Sequence, residues 1–379
     1  MDLHDVVVLS LLPGVSRRRL GEVLRHRASA TPGGVASAAG PAPPPGLDGF
    51  RQVLRAAAWR PVPREALERA REEADRALAR AARCGIVPLI LGTPDYPSAL
   101  ATIVDPPLVL WSRSASRPED AAGGGPAARM DRAVAIVGAR AATAYACDVA
   151  VRLGTELADR GVTVVSGMAR GVDAAAHRGA LASAAGWCTV AVLGCGVDVT
   201  YPPEHAALAE AVAERGALVS EFPPGTPPRA DHFPRRNRVI SGLSGAVVVV
   251  EASARSGALI TADCALDQGR EVLAVPGNVL WGRNRGGHAL LRDGAKIVED
   301  VDDILEELKV PRSGGSPPPG ADTDGLLGRM APGEMYALEA LARASGLEPA
   351  VLLPRLLELE LAGRVRRQGA LFVRRAAAR

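Results

Sequence analysis

Apolar positions in the middle of the chain fall into short continuous runs: AVAIVG (133–138), VTVVSG (162–167), CTVAVLG (188–194), ALVSE (217–221), AVVVVE (246–251) and EVLAVPG (271–277). Each run has the length of a strand and little polar alternation. The first three are each followed within a few residues by an Ala-rich helical segment. Strands apolar on both faces and joined by helical crossovers form a parallel, doubly wound sheet, so the expected class is α/β.

The flanks have other patterns. Residues 1–30 read as helix–turn–helix, with Pro13-Gly14 between two apolar segments, and TPGGVASAAGPAPPPG (31–46) reads as a loop or linker. An amphipathic helix is expected over 63–83, its mixed charge solvated and Gly85 ending it. The stretch SRSASRPEDAAGGGPAAR marks a boundary near 113–130, and PRSGGSPPPGADTDG (311–325) is a linker. Helices near 333–344 and 348–362, then two short strands around Gly369, give the helix–helix–hairpin order of a winged helix. The expected division is a helical N-terminal domain (1–85), an α/β core (86–310), a linker (311–328) and a winged-helix domain (329–379).

Charge changes this picture little. Across 379 residues, 45 Lys+Arg against 42 Asp+Glu leave +3, too small a bias to identify a nucleic-acid binder. Only Lys296 and Lys309 are lysines, so an anion site here is read by planar, bidentate guanidinium groups. Five scattered cysteines without a CxxC pair, and six isolated histidines, make neither a zinc site nor a disulfide framework. No metal or cofactor is expected. The acidic start MDLHD lacks the positive charge of a signal peptide, and no apolar run spans a bilayer, so a reduced, cytoplasmic protein is expected.

Ligands of doubly wound sheets sit beyond the carboxyl ends of the strands. The first such end, GARAATAYA (138–146), offers Arg140 in a turn but no GxGxxG, and the second strand ends in Ser166-Gly167 rather than an acid, which argues against NAD. The second, SGMARGVDAAAH (166–177), places Ser166, Gly167, Arg170 and Gly171 before a helix: a phosphate cradle, or a tight turn with Arg170 paired to Asp173. His177 reads as a packed residue. In GCGVDVTYPPEH (194–205), Gly194 and Gly196 allow close backbone approach, and Tyr201 reads as a structural cover on the sheet edge.

HFPRRNRVISGLS (232–244) crowds Phe233, Arg235, Arg236, Asn237 and Arg238 at a helix start. An aromatic ring among guanidinium groups suits a single strand of nucleic acid, phosphates tracked and a base stacked. The alternative for one or two of these arginines is ion pairing with Glu221 and Glu251. Ser256 reads as the N-cap of the helix in EASARSGALITA (251–262), with Thr261 about one turn in. No GxSxG or acid/base pair with a nucleophile is present. Six arginines follow Leu361 without an acid (364, 366, 367, 374, 375, 379), either a solvated tail or a DNA-backbone or partner contact.

IVGAR, SGMARGVDAAAH, VLGCGVDVTYP, SEFPPG, FPRRNRVISGLS, VVVVEASARSGALITA, GREVLAVPG and GGHALLRDGAK, in this order, resemble the bacterial DNA-processing protein A family (DprA, also called Smf) over about 90–300; DYPSALATIVDPPLVLW (95–111) is similar to that family's entry into its Rossmann core. The ends resemble the family's accessory domains, the first SAM- or helix-hairpin-helix-like, the last a winged helix. The resemblance implies an extended Rossmann sheet and a non-enzymatic binder of single-stranded DNA. It further implies dimerisation, loading of the recombinase RecA over single-strand binding protein, and a role in competence, DNA-mediated transformation and recombination. Carried over by position, Arg140, Ser166, Gly167, Arg170, Gly171, Phe233, Arg235, Asn237 and Arg238 are the implied DNA contacts. His288, Leu290 and Leu291 fall in the segment that implies the dimer interface.

The first turn departs from the family's frequent Ser, having Ala139 followed by Ala141 and Ala142, so binding leans on Arg140 and backbone donors. Two alternatives are a regulator that reads duplex DNA through the winged helix, and a Rossmann-type nucleotide-hydrolysing enzyme. The PGGxGT loop of the latter is absent from EASARSGALITA.

Overall fold

The structure, a computed structural model, describes residues 2–12, 62–115, 129–280, 282–308, 326–331 and 334–374. The turn at Pro13-Gly14 and the helix expected after it, the 31–46 linker, the centre of the 113–130 boundary and the 311–325 linker lie outside these residues.

The chain begins with α1 (Leu3–Leu11) and α2 (Arg64–Arg83), then β1 (Val87–Ile90), the short α3 (Ser98–Ala101) and β2 (Val109–Arg113). The core follows: β3 (Ala133–Val137), α4 (Ala144–Asp159), β4 (Thr163–Ser166), α5 (Val172–Ala182), β5 (Thr189–Val192), α6 (Ala206–Glu214) and β6 (Gly216–Ser220). After α7 (His232–Gly242) come β7 (Ala246–Val249), α8 (Gly257–Asp267), β8 (Glu271–Ala274), α9 (Arg285–Arg292), β9 (Lys296–Ile297) and α10 (Val301–Glu307).

Among the described residues the central sheet has nine strands in the order β1-β2-β6-β5-β4-β3-β7-β8-β9. The six strands expected from the sequence are its parallel interior, and β9 joins them parallel to β8. The hairpin β1–β2 extends the sheet antiparallel at β6. From β3 the chain steps outward to β6, then returns beside β3 with β7 and proceeds the other way. That reversal opens a crevice between β3 and β7 at their carboxyl ends.

Period-2 alternation divides β3 between two cores. Val134 and Ile136 join α4, α5 and α10 on one face, while Ala133, Ala135 and Val137 join α1, α2, α7 and α8 on the other. The apolar stripe Ala66, Ala70, Ala74, Ala77 and Ala81 is the buried side of α2, and Gly85 at φ +63° turns the chain out of it, as the pattern implies. The Arg80–Asp198 ion pair ties α2 to the loop after β5.

The C-terminal residues form β10 (Met335–Ala337), α11 (Leu338–Ser345), α12 (Pro349–Leu361), β11 (Val365–Gln368) and β12 (Leu371–Arg374) around Leu341, Leu352, Leu356 and Phe372. The helix expected from 333 starts later because Met335, Tyr336 and Ala337 pair with β12. Gly369, at φ +63°, turns the β11–β12 hairpin of the winged helix. No helix among the described residues is long and apolar enough to cross a membrane.

His177 is packed in the core. Its Nδ1 lies 2.7 Å from Thr189 Oγ1, whose hydroxyl donates to the Val164 carbonyl at 2.7 Å, so Nδ1 carries the proton and the buried Nε2 has no partner. Burial takes its pKa from 6.5 down to about 3. The native state therefore binds fewer protons than the unfolded chain below the unfolded pKa. The contribution of His177 is complete above about pH 6.5 and lost as pH falls, reaching about 2 kcal/mol near pH 5. Urea titrations across this range are expected to show that dependence in the wild type and a flatter one in His177→Gln; equal slopes would remove His177 as its source.

Candidate nucleic-acid interface

A cleft of ≈ 780 Å³ opens where the sheet order reverses. Its walls are the turns after β3, β4, β5 and β7, together with one side of α7. The turn after β3 is fixed from both sides: the Ala139 amide donates to the Glu251 carbonyl at 2.7 Å, and its own carbonyl accepts from Val172 at 3.2 Å. A Cβ on Gly171, at φ +76°, would run into that same carbonyl. Thr143 caps α4 and donates its hydroxyl to Glu251 at 2.7 Å, so Glu251 is engaged by this helix and not by the arginines of α7. Arg140 is left exposed at the apex, its guanidinium carbon 5.4 Å from the centroid of Phe233.

The turn after β4 is not an open phosphate cradle. Gly167 and Ala169 donate their amides to the Asp173 carboxylate at 3.1 and 3.3 Å, and the Ser166 hydroxyl points into the sheet, to the Ile136 carbonyl at 2.6 Å. The protein's own carboxylate occupies the place expected for an anion. Arg170 is exposed and ion-paired with Glu204 rather than Asp173. Gly171 serves the close approach of the two turns.

Helical periodicity divides the arginine cluster. Phe233, Arg236, Asn237 and Ile240 line the cleft. Arg238 points elsewhere, its side chain 11% exposed and bonded to Glu221 at 2.7 Å and Asp105 at 3.2 Å; Arg235, half-buried, lies over Phe222 and 3.6 Å from Glu221. For these two, the ion-pair alternative holds with Glu221. Arg236 is buried and donates from Nη1 to the Gly167 and Val192 carbonyls at 2.7 and 2.5 Å. Burial lowers its pKa to about 10, which leaves it charged at neutral pH.

Tyr201 is a cleft residue rather than an edge cover. The residue is 40% exposed, and its ring lies 5.5 Å from that of Phe233, at 38°. Gly194 makes room for the pair, since a Cβ there would come within 2.9 Å of the Phe233 ring. Cys195 beside it is inert: its thiol donates to the Val199 carbonyl at 3.1 Å, and burial pushes its pKa to about 11. The sequence also gave no sign of Arg229 or Arg283, exposed cations that line the same cleft from loops without periodic signal. His288, Leu290 and Leu291 lie on α9, between β8 and the edge strand β9; His288 Nε2 is 3.0 Å from the Gly277 carbonyl.

The chain matches the model of the family described as DNA recombination-mediator protein A over residues 88–309, and that of the DprA winged helix domain over 310–370. A putative DNA processing protein DprA of Mycobacterium tuberculosis is 44% identical over 270 residues, covering 68% of this chain and 66% of that protein. The DNA processing protein DprA of Bacillus subtilis is 39% identical over 233 residues, or 62% of this chain and 75% of that protein. Among solved structures, DNA processing protein A from Streptococcus pneumoniae aligns with a TM-score of 0.64 at 28% identity, covering 81% of this chain and 99% of the other. The Helicobacter pylori protein, solved for its unique single-stranded DNA binding mode, aligns with a TM-score of 0.51 at 26% identity, covering 59% of this chain and 95% of the other. This chain thus spans about two thirds of the length of the mycobacterial relative.

Proposed function

This chain belongs to the DNA recombination-mediator protein A family, and from that membership we propose that it binds single-stranded DNA at the mouth of the cleft, protects it, and loads RecA onto it in transformation and recombination. The carrying observation is the Tyr201–Phe233 ring pair under the Arg140 guanidinium, at the carboxyl ends of parallel strands. A base stacks on the exposed ring while Arg140 takes a phosphate, the combination that grips a strand without reading its sequence. Arg170 joins by exchanging Glu204 for a phosphate, and Asn237 and Arg229 border the path. The protein acts by binding rather than catalysis, in the cytoplasm, as a homodimer joined through the α9 segment, with RecA and single-strand binding protein as partners.

The winged helix supports this reading over duplex recognition. The exposed side of α12 carries Leu353, Leu357 and Leu361, and Arg355 on that helix is paired with Glu358 at 3.0 Å. A helix that reads the major groove presents free polar and basic side chains instead.

The test is fluorescence anisotropy with a labelled oligothymidylate at two salt concentrations, against unlabelled duplex. Salt-sensitive binding that duplex displaces poorly is expected. Arg140→Ala should weaken it at low salt and make the log–log salt slope shallower by about 0.7, one phosphate contact on a single strand. Arg238→Ala, which breaks the pairing with Glu221 and Asp105, should lower stability and leave the affinity of the folded protein unchanged. Equal competition by duplex, or no response to Arg140→Ala in folded protein, would overturn the assignment.

A further inference from the structure

Behind the aromatic mouth the inner part of the cleft, at the carboxyl ends of β3 and β7, is lined by Val137 and Ile240, both buried. We propose that this inner end binds one nucleoside monophosphate unit, either a free mononucleotide or the 5′-phosphorylated terminus of a DNA strand. The second source rests on the single-strand reading of the mouth; the first does not.

Three observations converge on an anion with attached polar groups. The N-terminus of α8, eleven residues long and capped by Ser256, opens onto the cleft, and a Cβ added at Gly257 would meet nothing within 4 Å. Space in front of a helix N-terminus is where backbone dipoles and free amides favour negative charge. One turn further, Thr261 is 2% exposed and lines the cleft, its hydroxyl engaged by no group of the described residues. A hydroxyl that faces the cavity and is not engaged by the protein is available to a ligand oxygen. The third is Arg236, a cleft-lining guanidinium beside Asp173 whose Nε is buried without a partner while its Nη1 is held by backbone carbonyls. Arg283, donating to the Ala141 carbonyl at 3.2 Å, adds an exposed guanidinium at the rim.

The ligand has a second half. Glu251, buried in the lining of the cleft, has its carboxylate held by the Thr143 amide and hydroxyl. Phosphate is repelled from that side, which suits sugar hydroxyls or base N–H groups. Asn237 donates to the Gly257 carbonyl at 3.3 Å and leaves its own oxygen as an acceptor. The ≈ 780 Å³ of the cleft is of the size that holds a small organic ligand with room at the mouth. A phosphate monoester, with a charge of about −1.5 to −2, gains more from a helix N-terminus than the single charge of a diester, so a terminus or a monomer suits the site better than the interior of a strand.

The full-length protein is to be titrated with the same oligothymidylate bearing a 5′-phosphate or a 5′-hydroxyl, and separately with thymidine 5′-monophosphate and thymidine. The phosphorylated strand is expected to bind about tenfold tighter than its twin, as one added charge-assisted contact implies. The isosteric Thr261→Val should bring the two within about twofold while the 5′-hydroxyl strand binds as before. Thymidine 5′-monophosphate should bind and thymidine should not. A mononucleotide that binds while the 5′-phosphate gives no advantage assigns the site to free nucleotides; the converse assigns it to strand ends. If neither strand binds, the single-strand reading fails, and Thr261-dependent binding of the mononucleotide still supports the inner site. Equal strand affinities with no mononucleotide binding, or a phosphate advantage that survives Thr261→Val, would overturn the proposal.

Discussion

Phe233→Ala is expected to weaken binding of an oligothymidylate by about ten- to a hundredfold, since stacking of one base on an aromatic ring contributes about 1–3 kcal/mol. The ring is the hub of the mouth. Tyr201 leans on it, Arg140 lies over it at 5.4 Å, Arg236 approaches it at 6.0 Å, and Gly194 makes the space that seats it. Its loss removes the stacking surface, while Arg140 stays in a turn fixed through the Ala139 amide and carbonyl. Because Phe233 carries no charge, the loss should be the same at every salt concentration, in contrast to Arg140→Ala. Phe233→Tyr should restore most of the affinity. A salt-dependent loss, or full affinity in folded Phe233→Ala protein, would mean that the strand lies elsewhere.

The parallel interior of the sheet was legible because strands buried on both faces must be continuously apolar, and few other structures impose that pattern. The edges escaped for the same reason. β1 contains Pro88, which an edge strand tolerates, and β9 is two exposed residues, Lys296 and Ile297. β10 escaped because MYALEALARAS reads helical throughout and only pairing with β12 unwinds its start.

At the candidate site, composition located the right loops but not the direction of each side chain. Six residues, Phe233 to Arg238, turn through more than one helical revolution, so residues adjacent in sequence diverge and Arg236 is separated from Arg235 and Arg238. The amides of the Ser166–Gly171 turn looked free until Asp173 came back to them across one turn of α5. Tyr201 had no partner within its own loop; the fold brought Phe233 to it from a helix that starts about thirty residues later. The open hydroxyl of Thr261 was equally invisible, since helical threonines commonly bond back to their own helix.

Gly179→Ala is expected to destabilise the protein by about 3 kcal/mol, the upper part of the range for overpacking a filled interior. Gly154 of α4 and Gly179 of α5 lie at the contact between the two helices. A Cβ on Gly154 would stand 2.5 Å from the Ala176 carbonyl, and one on Gly179 would run into the Val151 carbonyl. The Thr155 hydroxyl, donating across to the Gly179 carbonyl at 2.8 Å, fixes the same close approach. The obstacles are backbone atoms rather than the ends of flexible side chains, so relief requires moving a whole helix. Gly161 is the control: at φ +70° with nothing within 4 Å of an added Cβ, Gly161→Ala meets conformational strain alone, about 1–2 kcal/mol. Urea unfolding should place the Gly179 variant well below the Gly161 variant, with similar m-values. Equal midpoints would mean that α4 and α5 separate freely. That would loosen the site itself, because the turn carrying Arg140 leads into α4, the turn carrying Arg170 leads into α5, and the two are joined through the Ala139 carbonyl and Val172.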